Sequence, residues 1–277
     1  MKGVSESMAG RAAVFGLLPL SQEETPKVTL ARGGFPEVLA KPALAATWFR
    51  SYIQTYLERD VRQIAAIHDL AIFRRFLSLL ASRSGQILNR TDFASSLGVT
   101  IPTISAWIGI LETTNQILLV PPYFENFGKR LIKSPKLYFM DSGLACHLLG
   151  LESERSLRQS VFHGQVFEGF VAAEIVKHQI NHGREKQLYF FRDQQGLEID
   201  FIIPLPGRKL ALVETKASRT AMPKMAQGIR RLLQNVSGPV SGHLIYQPAG
   251  GDDEALSLGT GVTARSLGGF CKNILPK

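Results

Sequence analysis

The sequence predicts an α/β (α+β) protein in which a helical, winged-helix-like unit precedes a mixed sheet flanked by helices. Three observations support this prediction. Apolar residues recur at helical spacing over much of residues 43–114. Two short apolar runs between residues 117 and 140 resemble a pair of strands. After residue 155, helix-like and strand-like segments alternate, which is typical of a sheet covered by helices.

Length and composition favour an ordinary folded chain with a basic surface. The 277 residues suffice for one or two domains, and 45% of them are hydrophobic. The net charge of +9 favours a polyanionic partner, nucleic acid first and an anionic membrane second, although an ordinary basic protein explains it equally well. Two distant cysteines suggest neither a cysteine-based zinc site nor a disulfide framework. Because no uninterrupted apolar run approaches the ~20 residues of a membrane span and the N-terminus has no signal-like apolar region, we expect a cytoplasmic protein without membrane association.

Residues 1–42 do not resemble a self-contained domain. A short helical start precedes an apolar run and a glycine/proline turn, GGFPEVL. No Gly-x-x-x-x-Gly-Lys-Ser/Thr phosphate loop occurs in the sequence, so we expect no ATP site in this chain. Residues 43–69 are predicted to form a linker helix, because apolar residues from Trp48 to Ile64 recur at three- and four-residue steps.

Residues 70–150 are predicted to form the winged-helix-like domain. A helix over 70–82 precedes a short helix that Thr91 could cap and Gly98 would end. A second helix follows over 103–114, so the pattern is that of a helix-turn-helix. Runs at 117–120 and 137–140 would pair as a hairpin, and the basic loop between them would be the wing.

This unit has a DNA-binding interpretation and a simpler one. If it binds DNA, Thr103 and Ser105 would lie near bases, with Lys129, Arg130 and Lys133 on phosphates. However, the second helix carries no Arg or Lys between residues 100 and 116, which is unfavourable for reading bases. A role in protein interaction or as a spacer therefore stays open.

Residues 155–277 are predicted to form the α/β domain. Its first residues belong to a polar connector predicted over residues 151–162. The tail from Gln247 is rich in glycine, so we expect it to be less ordered or to end in one edge strand near 261–267. The predicted elements are a helix over 166–182, strands over 188–192, 197–203 and 210–216, a helix over 223–234 and a strand over 242–246.

Four polar residues stand out in apolar surroundings of this domain. Glu168 shares a helix face with three apolar residues, where a carboxylate is costly unless it is paired or holds a cation. Glu214 and Lys216 share one face of a strand, and Asp200 comes from a second strand. Converging carboxylates suit Mg²⁺ or Mn²⁺, and a nearby lysine can position a water for phosphodiester cleavage. The alternative is a salt-bridged, solvated strand face.

The run Val213-Glu214-Thr215-Lys216, with Asp200 before it and Glu168 on the preceding helix, resembles the PD-(D/E)XK nuclease superfamily. The resemblance implies a restriction-endonuclease-like mixed sheet. It implies that Asp200 and Glu214 bind the metal, that Glu168 is the acid from the helix and a third ligand, and that Lys216 is the base that positions water. Ile199 stands where the superfamily motif has proline.

The wider chain resembles the prokaryotic C-terminal domain family that follows AAA-type ATPase modules. This resemblance implies that residues 1–42 are the remnant of an ATPase module, with Arg11 as a nucleotide-sensing candidate, and that the chain acts with a partner ATPase or by self-association. A non-catalytic DNA- or protein-binding module and a purely structural piece of a truncated ATPase stay open as alternatives. The matching runs are GGFPE at 33–37, YLERDV at 56–61, KLYFMDSGL at 136–144, FE at 167–168, EIDF at 198–201 and ETK at 214–216.

One histidine pair suggests a second, weaker metal site. His178 and His182 lie four residues apart on the predicted helix, and His163 is nearby in the sequence. Two histidines at this spacing can bind zinc, but the sequence shows no obvious third ligand.

Overall fold

The first half of the chain combines helices with a small sheet. A computed structural model describes residues 16–57, 70–123, 133–234, 236, 238–249 and 254–276. Its helices here are α1 (Pro36–Ala40), α2 (Ala45–Tyr52), α3 (Leu70–Ser82), α4 (Arg90–Leu97) and α5 (Ile101–Thr113). A short π-helical segment, Ile53–Leu57, continues α2. Strands β1 (Ile117–Val120) and β2 (Lys136–Phe139) pair antiparallel, as predicted.

Helices α4 and α5 meet at an angle of 112° through a tight turn. The cap of α4 is Asn89, whose side chain accepts a hydrogen bond from the Asp92 amide, so the prediction of Thr91 as the cap is wrong. Gly98 ends the helix in the left-handed conformation, with φ of 68°, as its position predicted. The Thr100 side chain caps α5 by accepting from the Thr103 amide.

The β1–β2 sheet separates two hydrophobic cores. Leu137 and Phe139 pack into the core built by helices α3 to α5, whereas Tyr138 packs into the core around a long helix of the second half. This division follows from the strand geometry, because successive side chains point to opposite faces. The helical unit and the following α/β unit therefore share a buried sheet.

The second half builds a mixed sheet of six strands in the order β3-β4-β5-β6-β8-β7. Strands β3 to β5 form an antiparallel meander, β6 runs parallel to both β5 and β8, and β7 is antiparallel to β8. The predicted α+β class is confirmed. The elements are α6 (Ser142–Leu148), α7 (Glu154–Gln159), α8 (His163–Asn181), β3 (Tyr189–Arg192), β4 (Glu198–Leu205), β5 (Lys209–Thr215), α9 (Gln227–Leu233), β6 (Val240–Ile245), β7 (Leu256–Ser257), β8 (Val262–Arg265) and α10 (Leu267–Ile274).

Helices cover both faces of this sheet. Phe201 and Val213 pack on the side of α8, and Ile202 and Leu212 pack with Ile229 of α9 on the other side. Strands that are buried on both faces explain why their sequences are almost continuously apolar. A polar side chain within such strands therefore lies either at a strand end or in a site.

Two sequence expectations need correction. The connector over residues 151–162 contains helix α7, which a Ser153 capping box begins. The glycine-rich tail is not less ordered over 254–276: Ser266 caps helix α10, and its Phe270 is fully buried. A strand does occur near 261–267, but it lies between β6 and β7, and β7 forms the edge instead.

The segment before α1 is tied into the body of the protein. The Gly34 amide donates to Asp141 Oδ2 at 2.7 Å, and the Leu144 amide donates to Asp141 Oδ1 at 2.8 Å. Gly33 has φ of 71°, and a Cβ there would lie 2.3 Å from the Asp141 carboxylate. Close backbone approach therefore requires glycine at this position. Arg11 lies outside the described residues.

Within the described part of the chain, no single helix is both long enough and apolar enough to cross a membrane.

Candidate functional site

An acidic pocket opens where strands β4 and β5 separate. It is an open cavity of about 640 Å³, and Glu168, Asp200 and Glu214 all line it. Lys216 reaches the same cluster through Glu214. The structure thus brings together the four residues that the sequence singled out. The remaining lining residues are Gly85, Gln86, Ile87, Lys136, Arg192 and Glu198.

Asp200 is held by the strand that follows it. The regular pairing between β4 and β5 ends at Phe201 and Val213. Beyond this pair, Asp200 Oδ2 accepts hydrogen bonds from the Thr215 amide at 2.8 Å and from the Thr215 hydroxyl at 2.9 Å. The Asp200 carboxylate therefore takes the place of a backbone acceptor at the point where the strands part. These two bonds fix its orientation, and Asp200 Oδ1 remains as a second acceptor atom.

Glu214 offers the pocket an oxygen without a protein partner. Its Oε1 accepts from Lys216 Nζ at 2.8 Å, whereas Oε2 is buried and has no hydrogen-bond partner among the described residues. A buried carboxylate oxygen without a partner is costly, so such atoms usually meet a water or an ion. The side chain of Glu214 is 16% exposed and that of Lys216 39%, so the pair lies at the pocket wall with the lysine toward solvent.

Glu168 is engaged by two residues of strand β2. Lys136 Nζ lies 3.0 Å from Glu168 Oε1, and the Tyr138 hydroxyl donates to the same oxygen at 2.5 Å. Lys136 also lies 2.6 Å from Glu198 Oε1, and only 4% of its side chain is exposed. Arg192 Nη1 is 3.6 Å from the other Glu198 oxygen. The shared β1–β2 sheet therefore supplies a buried cation to the pocket, and residues 85–87 of the helical unit also line it.

Sequence reasoning did not assign Lys136, Tyr138 or Glu198 to the site. The run KLYFM did contain a signal, because a lysine and a tyrosine alternate with leucine and phenylalanine along one strand. Such alternation places both polar heads on one face. What the sequence could not show is that this face meets helix α8.

Burial and mutual repulsion raise the proton affinity of two pocket carboxyls. Burial, together with the nearby charge of Asp200, raises the pKa of Glu168 and of Glu214 to about 7. Burial lowers the pKa of Lys136, but the charges of Glu168 and of other pocket carboxylates outweigh it, so this pKa is above its usual value. For Lys216, the charge of Glu214 likewise outweighs burial and raises the pKa. Both ammonium groups are therefore charged at neutral pH.

The predicted DNA contacts form a separate set. Thr103 and Ser105 lie on α5, where the Thr103 hydroxyl is 2.9 Å from that of Thr100 in the cap. Lys133 is exposed, whereas Lys129 and Arg130 lie outside the described residues. Of the three described residues, Thr103, Ser105 and Lys133, none lines the acidic pocket. DNA contact by this unit stays a prediction.

The fold and pocket define an α/β domain with a cluster of converging carboxylates, joined to a helical unit by a shared sheet. Residues 163–262 match the domain family described as "Domain of unknown function (DUF4143)", which is often found after AAA-type ATPase modules. Residues 24–155 match a second family, "Domain of unknown function (DUF8612)". The second half of the chain is thus consistent with an ATPase-associated C-terminal domain.

The chain is also similar to two mycobacterial proteins. "Uncharacterized protein Rv2008c" of Mycobacterium tuberculosis and "Uncharacterized protein Mb2031c" of Mycobacterium bovis are each 31% identical to it over 235 residues. The alignment covers 83% of this chain and 52% of each relative, so the chain spans about half the length of the curated relatives it matches. No solved structure matches the chain.

Proposed function

We propose that the acidic pocket is a divalent-metal site of the nuclease kind and that it hydrolyses phosphodiester bonds of DNA. The observation that carries this proposal is the convergence of Glu168, Asp200 and Glu214 from one helix and two strands, with Lys216 bonded to Glu214. This set of residue types agrees with the resemblance to the PD-(D/E)XK superfamily.

The residues of the pocket fit Mg²⁺ or Mn²⁺. Both ions take oxygen ligands and keep several waters, so two or three carboxylates suffice. Asp200, Glu214 and Glu168 would hold the ion, and Glu214 Oε2 is an oxygen in need of a partner. Burial, and after it the nearby charge of Asp200, raises the pKa of Glu168 and of Glu214, and a bound cation would offset both effects. When bound, the ion would polarise the phosphate and lower the pKa of a water.

The protein groups would then have distinct tasks. Lys216 stays an ammonium at neutral pH, so it would donate a hydrogen bond to the attacking water or to a phosphate oxygen rather than remove a proton. Asp200 is immobilised by Thr215, which keeps one ligand in place before substrate arrives. Lys136 and Tyr138 fix the orientation of Glu168 through their contacts with its Oε1.

Charge and architecture favour DNA and an ATPase as the partners. The net charge of +9 is suited to a polyanionic substrate. Lys133 is exposed, and in the sequence it follows closely on the basic residues Lys129 and Arg130. The family that matches residues 163–262 often follows AAA-type ATPase modules, so the cutting domain would act on DNA that such a module delivers.

A second candidate is a non-catalytic DNA- or protein-binding module. The observation that favours it is the ammonium of Lys136, which already lies within 3.0 Å of Glu168 and 2.6 Å of Glu198. A buried lysine between two carboxylates offsets one of their two negative charges without a metal ion. In this case the acidic cluster would be an internal ion-pair network, and the domain would serve its ATPase by binding alone.

A cleavage assay separates the two candidates. The full chain is incubated with supercoiled plasmid, single-stranded DNA and a four-way junction, each with Mg²⁺, Mn²⁺ or chelator. We expect metal-dependent nicking, and a loss of about 100-fold or more in Glu214→Gln and in Lys216→Met. Glu185→Gln, an exposed carboxyl outside the pocket, is the matched control.

The same samples decide which candidate fails. Absence of cutting on every substrate, together with DNA retention that weakens as salt is raised, would overturn the nuclease proposal and support the binding module. Nicking that survives both pocket substitutions would mean that a contaminating enzyme is responsible.

A further inference from the structure

A second group of metal-ligand side chains lies near the C-terminal end of helix α8. Glu23, His178 and His182 each offer one ligand atom, and these atoms all lie within 4.8 Å of one another. Glu23 supplies the third potential ligand atom that the sequence did not reveal, because 155 residues separate it from His178. Glu168 and His178 are ten residues apart on the same helix, or about 15 Å at the usual rise, so the cluster is distinct from the acidic pocket.

The hydrogen bonds of the two rings indicate which nitrogens are available. His182 Nδ1 lies 2.8 Å from the carbonyl oxygen of His178, which can only accept, so Nδ1 carries the proton. The lone pair of a neutral His182 ring is then on Nε2. His178 Nε2 lies 3.3 Å from the carbonyl oxygen of Pro276 and likewise donates. This arrangement is typical of metal-binding histidines, whose second nitrogen donates to a carbonyl or carboxylate.

The remaining contact needs a proton or a metal cation shared by its two atoms. His178 Nδ1 lies 2.8 Å from Glu23 Oε2. If His178 is neutral and donates through Nε2, two acceptor atoms face each other at this distance. Only a proton on Nδ1 or a cation shared by both atoms makes the contact favourable. Because the His178 side chain is only 2% exposed, water cannot readily take this place.

The cluster is also held in position before any ion arrives. The backbone N–H of Gln22 donates to Glu174 Oε2 at 2.7 Å, and Lys177 Nζ donates to the Leu20 carbonyl at 3.2 Å. These bonds fix the segment that carries Glu23 against helix α8. The Glu23 side chain is 48% exposed, so the cluster opens to solvent on one side.

We propose that Glu23, His178 and His182 bind a Zn²⁺-class cation, with water in the fourth position. Two imidazoles and one carboxylate form a donor set that suits zinc, as does the one-turn spacing of the histidines. The ion ties the segment around residue 23 to the end of helix α8. This inference does not depend on the nuclease proposal, because no residue is common to the two sites.

Metal titration of the full chain tests the proposal. Asp200→Asn/Glu214→Gln is used as the background, so that the acidic pocket does not compete for the ion. After chelator treatment, Zn²⁺ is titrated by calorimetry and Co²⁺ by visible absorption. We expect one tight equivalent of Zn²⁺ and a tetrahedral Co²⁺ spectrum. Glu23→Gln and His182→Gln should each weaken binding by at least about tenfold, whereas His163→Gln, at the opposite end of the same helix, should not.

Circular dichroism in chelator checks that each variant is folded. Absence of a zinc equivalent in the background protein would overturn the proposal and leave an imidazolium–carboxylate pair of His178 and Glu23 as the only role of the contact. Undiminished zinc binding by folded Glu23→Gln and His182→Gln variants would overturn it as well.

Discussion

Replacing Glu214 with glutamine is expected to stabilise the metal-free protein at pH 8. Burial and the charge of Asp200 raise the pKa of Glu214 from 4.5 to about 7. The native state therefore binds this proton more tightly than the unfolded state does. The resulting contribution to stability is complete below about pH 4.5 and is lost as the pH rises through 7. One pKa unit corresponds to about 1.36 kcal/mol, so the difference between 4.5 and about 7 limits the contribution of this proton to the unfolding free energy to about 3 kcal/mol.

Urea unfolding in chelator at pH 5 and pH 8 measures this effect. Glutamine keeps the shape and the oxygen that accepts from Lys216, but it carries no charge to repel Asp200. Glu214→Gln should therefore exceed the wild type in unfolding free energy by about 1–3 kcal/mol at pH 8 and by much less at pH 5. The exposed control Glu185→Gln should differ little at either pH. A variant that is less stable than the wild type at pH 8, or equally shifted at both values, would refute the electrostatic reasoning.

Two further predictions concern the groups around the pocket and the N-terminal segment. Lys136→Met removes the buried cation that pairs with Glu168 and Glu198. The unfolding free energy at pH 8 should therefore fall by about 3 kcal/mol. A change within about 0.5 kcal/mol would show that the ion pairs contribute nothing to stability. Gly33→Ala places a Cβ 2.3 Å from the Asp141 carboxylate at a residue whose φ is 71°. The unfolding free energy, measured by urea unfolding, should therefore fall by at least about 1–2 kcal/mol. A variant as stable as the wild type would contradict the close approach.

Local patterns were sufficient to predict most of the α/β unit. The strands of the meander are almost continuously apolar and end at turn residues, so β4 and β5 were predicted to within two residues. Asp200 and Glu214 interrupt the apolar pattern of two strands, and Glu168 interrupts the apolar face of helix α8. The structure places all three in one pocket. A buried carboxylate is informative in a sequence because the free-energy cost of its burial must be offset by hydrogen bonds, an ion pair or a metal ion.

The features that were missed depend on contacts between distant segments. Helix α10 has the sequence LGGFCKNI, whose glycines disguise the helical spacing of Leu267, Phe270 and Cys271. Lys136 lies just before the strand predicted over 137–140 and is assigned no role in the sequence analysis, because only the packing of β2 against α8 brings its ammonium to Glu168. Glu23 and His178 are likewise joined by tertiary contact alone.

An anomalous-difference map from crystals soaked with Mn²⁺ tests directly whether the acidic pocket binds a metal ion. We expect a Mn²⁺ peak in the acidic pocket within coordination distance of Asp200 and Glu214, with Glu214 Oε2 as one ligand. A fully soaked crystal that shows no Mn²⁺ there, with the Lys136 ammonium as the cation that contacts Glu168, would contradict it.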